Sequence, residues 1–174
     1  MNKKVRIIIL CIAAVLILFA FTVGKTFTGN VIGGRVHFPK ENLGKTLVME
    51  NGQKFSVFRT LTVSGKNAEA KSLAVFRVRF KFSGLSPQVN KRLSMIPAPF
   101  LMGMKGFREK NWMMDEDSGY FQGVYQWESK ELAEAYPSSF IFKLMTKRAA
   151  PGTVSYEIMP DTNISEYIKT RIVK

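Results

Sequence analysis

Hydrophobic and polar positions alternate along residues 74–82, with Phe76, Val78, Phe80 and Phe82 on one side and Arg77, Arg79 and Lys81 on the other. A period of two is that of a half-buried strand. Residues 153–159 repeat it, setting Val154, Tyr156 and Ile158 against Ser155 and Glu157. Residues 107–114 and 120–127 are two more strand-like runs, joined as a hairpin by the acidic turn Asp115-Glu116-Asp117-Ser118-Gly119. Upstream, β-rich runs at 46–50 and 53–63 flank Asn51-Gly52. That dipeptide is a strong hairpin signal, because both central positions of the tight turn need positive φ.

The period changes after residue 128. Leu132, Tyr136, Phe140 and Leu144, with Ala133, Ile141 and Met145 beside them, form one apolar stripe of a helix. Ser129 is placed to cap it and Glu131 to meet its dipole in the first turn. Pro137 is expected to bend or restart the helix, and Ala150-Pro151-Gly152 to end it. The start of residues 88–104 also predicts a short helix, with Pro97 and Pro99 turning the remainder into an irregular Met-rich stretch. Residues 26–43 hold Gly29, Gly33, Gly34 and Pro39 without a clear period and read as a tether, residues 64–72 as a polar loop, and residues 161–174 as a short final helix. From residue 74 the order is β-α-β-β-α-β, the split βαβ pattern of a ferredoxin-like sandwich, in which helices cover one face of a four-stranded antiparallel sheet. The expected class is α+β.

Residues 7–24 (IIILCIAAVLILFAFTVG) form a run of 18 without a charge, about 27 Å as a helix and enough to cross a bilayer. A cleavable signal has a core of only about 7–15 apolar residues, so an uncleaved anchor is the better reading, although Thr22 and Gly24 offer a weak cleavage site. Lys3, Lys4 and Arg6 precede the run, and only Lys25 and then Arg35 follow closely. The positive-inside rule then places the C-terminal domain outside the cytoplasm of a single-pass cell-membrane protein. The chain divides into an anchor (1–25), a tether with a β-hairpin extension (26–72) and the ferredoxin-like domain (73–174).

Charge and composition narrow the function. Lys and Arg number 26 against 13 acids, an excess that draws the chain to anionic surfaces. No helix-turn-helix, zinc or RNA-binding signature accompanies it, so lipid headgroups or wall polymer are expected and nucleic acid is not. Arg77, Arg79 and Lys81 are the candidate surface for such contact. The single cysteine, Cys11, lies inside the apolar run, which continues past it, so neither a disulfide, a Cys-based metal site nor a lipid-modified cysteine is expected. The single histidine, His37, lies in the tether and reads as an exposed loop residue. Histidine acid–base chemistry, His-rich metal sites and a His-ligated haem are therefore disfavoured. Gly-rich phosphate loops, GxSxG and HExxH are absent. Asp115, Glu116 and Asp117 read as a solvated turn, since they lack calcium-loop spacing. No metal and no cofactor is called for.

What remains is aromatic and sulfur-rich. Phe121, Gly123, Tyr125 and Trp127 share one strand face, where Gly123 leaves a gap. Trp112, with Met95, Met102, Met104, Met113 and Met114 nearby in sequence, forms with them either plain core or an adaptable apolar pocket.

Residues 106–136 resemble the dimeric α+β barrel superfamily, in its monooxygenase branch near the antibiotic-biosynthesis monooxygenases. The resemblance is carried by Lys110-Asn111-Trp112, the acidic turn, Gly123-Val124-Tyr125-Gln126-Trp127 and Ala133-Glu134-Ala135-Tyr136. It implies a ferredoxin-like protomer, a homodimer paired sheet to sheet, and a pocket between sheet and helices. Some members of that family oxidise aromatic substrates with neither metal nor flavin, and others degrade haem, although the haem-degrading histidine has no counterpart here. On this resemblance Trp112, Tyr125, Trp127, Lys110 and Asn111 are the ligand-pocket candidates, with Lys110 or Asn111 supplying charge or hydrogen bonds. The chain is expected to be a membrane-anchored protein that binds a small apolar or aromatic molecule, with cofactor-independent monooxygenase activity as its chemistry. The alternative is a non-catalytic envelope protein whose basic sheet face binds anionic lipid, wall polymer or a protein partner.

Overall fold

The structure is a computed structural model that describes residues 21, 23–65 and 73–172. The anchor assigned to residues 1–25 lies almost wholly outside the described residues, and among those described no helix is long and apolar enough to cross a membrane.

The strands are β1 (Val36–His37), β2 (Thr46–Val48), β3 (Lys54–Val63), β4 (Ala74–Lys81), β5 (Phe107–Met114), β6 (Tyr120–Trp127) and β7 (Ser155–Pro160). The helices are α1 (residues 23–32), α2 (Pro87–Leu93), α3 (Ala98–Gly103), α4 (Lys130–Ala135), α5 (Phe140–Lys147) and α6 (Ile164–Lys169). All the strands join one antiparallel sheet in the order β1-β3-β5-β6-β4-β7, with β2 also on β3. Within it, β5-β6-β4-β7 places the first and third strands of the β-α-β-β-α-β unit in the centre, the ferredoxin-like arrangement expected from the sequence. The hairpin forms around Asn51-Gly52, but not as the expected two-residue turn: only Gly52 has positive φ (79°), and Gly52 N donates to the Met49 carbonyl so that Glu50 and Asn51 hold the bend. The long strand β3 extends the sheet along the edge of β5.

Strand alternation sends apolar groups to both faces. Phe76, Val78, Trp112 and Tyr125 pack with α3, α4 and α5 into the larger core. Val75, Met113 and Val124 pack on the other face with Leu47, Phe55 and α6 (Ile164, Tyr167, Ile168). Burying the second face under α6 and β2 is what the half-buried reading of β4 did not anticipate.

Two stretches differ from expectation. The tether is structured: α1 docks on α3, where Asn30 Nδ2 donates to the Met102 carbonyl at 2.6 Å, and β1 pairs with the end of β3. One interacting face was too little to leave a period in the sequence. The Met-rich stretch after Pro97 is helix α3 rather than irregular chain, because its prolines fall at the helix start, where a missing N–H costs nothing. The long stripe after Ser129 is interrupted as Pro137 predicted. Ser129 caps α4 by accepting from Leu132 N, a 3₁₀ turn (Tyr136–Ser138) contains Pro137, and Ser139 starts α5 by accepting from Phe142 N.

Candidate ligand pocket

β5 and β6 decide which candidate residues meet. On β5, Lys110, Trp112 and Met114 face the helices, while Asn111 and Met113 face α6. On β6, Tyr125 and Trp127 face the helices beside them, with Lys110 opposite Tyr125 and Trp112 opposite Gly123 in the register. Between this sheet face and α2, α3 and α5 lies a cavity of about 190 Å³. Its sheet wall includes Phe80, Lys110, Trp112, Phe121 and Tyr125, and its helical wall includes Leu93, Phe100, Ile141 and Leu144.

Lys110 is the chemical centre of this cavity. It is a nearly fully buried lysine, and its Nζ lies 4.3 Å from the Trp112 ring centroid and 4.5 Å from that of Tyr125. Two desolvated ring faces return about 2 kcal/mol each to an ammonium. The net cost of burying an unpaired charge is several kcal/mol, with no carboxylate here to offset it. Burial therefore prevails, and the amine's pKa falls well below 10.5. Burial thus favours the neutral amine in this apolar site.

The Tyr136 hydroxyl donates to that of Tyr125 at 3.2 Å. Burial, and then the neighbouring Tyr136, raises the Tyr125 pKa well above 10, and burial raises that of Tyr136 as well. Both phenols keep their protons. The gap expected at Gly123 is filled by Tyr125 itself, whose ring folds back over the glycine: a Cβ there would lie 2.7 Å from Tyr125 Cε2. Gly123 thus allows the tyrosine to lie flat beside Lys110.

Of the other candidates, Trp127 sits off the cavity, packed between Phe107 (5.7 Å between centroids) and Tyr136 (5.2 Å), and supports Tyr136 from behind. Asn111 lies on the opposite face, where its Nδ2 donates to Glu109 Oε1 at 2.7 Å. Burial raises the pKa of that glutamate. Arg77, Arg79 and Lys81 also project away from α2–α5. Arg77 there pairs with Glu50 at 3.0 Å and Glu157 at 2.5 Å, Arg79 donates to Gln53, and Lys81 lies 5.4 Å from the Tyr120 ring centroid. His37 is exposed in β1, and Asp115 folds its turn by accepting from Asp117 N and Ser118 N. Among the described residues no group of His, Cys, Asp and Glu could hold a metal.

Sequence reasoning missed a polar pair at the cavity. Arg148 Nη2 donates to Asn90 Oδ1 at 2.9 Å, and both residues border the cavity, with the guanidinium 5.0 Å from the Phe82 ring centroid. No local signal links α2 to the end of α5. Tyr136, Ile141 and Met145 were visible as an apolar stripe, but only packing shows that Ile141 and Met145 border a cavity while Tyr136 supports it.

No protein-family model matches the chain, and no curated protein does. Solved structures do. An anthrone oxidase-like protein aligns at 17% identity and TM-score 0.45 over 64% of this chain, which spans 55% of that protein. A ferredoxin-fold protein of Listeria monocytogenes related to antibiotic biosynthesis monooxygenases aligns at 11% identity and TM-score 0.48, over 74% of this chain and 92% of that one. A monooxygenase of Streptomyces coelicolor (ActVA-Orf6), solved with nanaomycin D, aligns at 15% identity and TM-score 0.42, over 57% of this chain and 96% of that one. Ferredoxin-fold proteins related to antibiotic biosynthesis monooxygenases are thus among the solved structures to which this chain is similar.

Proposed function

We propose that this chain is a membrane-anchored, cofactor-independent monooxygenase whose substrate is a phenol held in the cavity beside Lys110. The observation that carries the reading is a buried lysine, packed against two aromatic rings, in a cavity lined largely by aromatic and aliphatic side chains. An apolar cavity of about 150 Å³ accommodates benzene, so about 190 Å³ suits one substituted ring rather than a fused tricycle. Stacking on Trp112 and Tyr125 would position that ring.

The chemistry needs a base and an oxidant. The Lys110 amine takes the phenolic proton, and the resulting ammonium lies beside the phenolate, an ion pair strengthened by the low dielectric of the site. The phenolate then gives electrons to O₂ in one-electron steps, and a C–O bond forms at the carbon para to the oxygen. The ammonium returns its proton to the peroxide. Loss of water, with the para hydrogen leaving as a proton, yields the quinone, so one atom of O₂ enters the product and the other leaves as water. The amine is regenerated.

The purified full chain in detergent should consume one O₂ per phenol with a free para position, without added metal or flavin. Lys110→Met should abolish turnover while retaining ligand binding, and Trp112→Ala should weaken binding more than it lowers stability. Binding without O₂ uptake across a panel of phenols would make this a binding protein, and absence of both would end the pocket reading. The anchor is tested separately. Protease should reach residues beyond 25 only from outside the cell, and a soluble processed product would refute it.

A further inference from the structure

The mouth of the cavity is greasy, and its position relative to the N-terminal run is informative. Ile96, Phe100 and Leu144 border the cavity and are 67%, 38% and 46% exposed. Phe140, 53% exposed, lies beside Phe100 at 6.5 Å between ring centroids. Four large apolar groups around one opening are unusual on a face meant for water.

Cations surround them. Lys143 and Lys147 occupy the exposed side of α5 with Phe140 and Leu144, and Arg92 and Lys105 are exposed at the ends of α2 and α3. Residues 82–108 and 135–156, which carry α2, α3 and α5, contain no Asp or Glu. Among the described residues, acids that approach them include Glu116, 3.6 Å from Lys91 on α2, Asp117 beside it near Pro87 and Asn90, and Glu128, 2.9 Å from Arg108 at the start of β5. Apolar groups flanked by lysines that can extend toward headgroups are the composition of an interfacial surface.

With the proposed anchor in a bilayer, the chain itself would bring this face to it. α1 continues directly from the apolar run of residues 7–24, and it docks on α3 through Asn30 and Met102. Val23 lies so close to Gly103 that a Cβ on that glycine would sit 2.5 Å from Val23 Cγ1. Val23 and Gly24, the last residues of that run, therefore lie at or near the end of the helix that carries Phe100.

We infer that the rim formed by α3 and α5 rests on an anionic bilayer, and that the cavity takes its ligand from the lipid phase: a one-ring phenol whose alkyl tail stays among the acyl chains. The second half of this inference rests on the phenol-binding reading above; the docking half rests on the membrane anchor alone. It also moves the anionic-lipid surface from Arg77, Arg79 and Lys81, where carboxylates already pair with Arg77, to the cavity rim.

The test uses the full chain in vesicles, with Cys11→Ser as background and an NBD label at Phe140→Cys or, as a control on the opposite sheet face, at Ser165→Cys. Acyl-chain doxyl lipid in phosphatidylglycerol-containing vesicles should quench the label at 140 at least fivefold more than that at 165. Equal quenching overturns the docking. Lys143→Gln with Lys147→Gln should lower the docked-to-undocked ratio by about fivefold per cation, and no change with either substitution or added salt refutes the electrostatic share. For ligand entry, 3-pentadecylphenol preloaded in the vesicles should quench tryptophan fluorescence, and this double variant should slow its arrival at least tenfold while its affinity in micelles stays unchanged. An unchanged rate of arrival rejects entry from the lipid phase. Failure of the short probe 2,6-dimethylphenol to bind in micelles rejects the phenol reading and leaves the quenching comparison standing.

Discussion

Replacing Lys110 by methionine should change how stability depends on pH, with a sign the structure fixes. In the folded protein the amine is buried against Trp112 and Tyr125 without a counter-ion, and its pKa lies well below 10.5. In the unfolded chain the same lysine is solvated and titrates near 10.4. Between those two values the unfolded state holds one proton more than the folded state, so stability rises with pH across the window. Below the folded pKa both states are protonated and the penalty is constant and greatest; above about 10.4 it is gone. One proton corresponds to a slope of about 1.4 kcal/mol per pH unit. Methionine is close to lysine in length and carries no proton, so Lys110→Met should lack that slope and be the more stable protein at neutral pH. Urea unfolding of both proteins from pH 6 to 9.5 measures it, and the difference between the two stabilities cancels titrations common to both. Stopping at 9.5 avoids the raised tyrosines Tyr125 and Tyr136, whose linkage runs the other way, since stability is lost as pH rises through the unfolded value near 10. The wild type should gain on the variant as pH rises, by up to about 1.4 kcal/mol per unit. A difference that stays flat over the range would mean that Lys110 is hydrated or paired, and the argument for a poised amine would fall.

Gly123→Ala should cost about 1–3 kcal/mol, read as a lowered urea midpoint, because the new methyl lies 2.7 Å from the Tyr125 ring, which is hemmed in by Phe76 and Tyr136; ligand affinity should fall with it. Unchanged stability and affinity would show that the ring does not need the glycine. Tyr136→Phe removes the donor to the Tyr125 hydroxyl and should cost about 1–2 kcal/mol, whereas a neutral effect would argue against that hydrogen bond. Arg171, the chain's own backbone and Arg77 hold the Glu50 carboxyl at about 2. Its contribution is present above the unfolded value near 4.3 and is lost as pH falls toward 2. Because Glu50 is largely exposed, Glu50→Gln should cost no more than about 1 kcal/mol at pH 7 and nothing at pH 2, and an equal cost at both would remove the ion pairs as its source.

The sequence alone determined the order of elements, since period and turn chemistry are local properties. The alternation of residues 74–82, the Asn51-Gly52 turn and the capping serine at 129 each act within a few residues, and each appears in the structure where the pattern placed it. Pro137 broke its helix for the same local reason. The pocket was only half legible. Lys110 and Trp112, two apart on one strand, necessarily share a face, and Tyr125 lies opposite Lys110 in the hairpin register. The same period of two sends Asn111 to the other face, but which face the helices cover is a property of the whole sheet. Tertiary structure alone decided that α1 docks on α3, that α6 and β2 close the second face over Arg77, and that Arg148 meets Asn90 at the cavity. Those contacts join residues tens of positions apart, and each depends on a crossover direction or a packing register that leaves no period in the chain. The cavity itself is of the same kind, since a void is set by how separate elements fail to touch, and no single element carries its record.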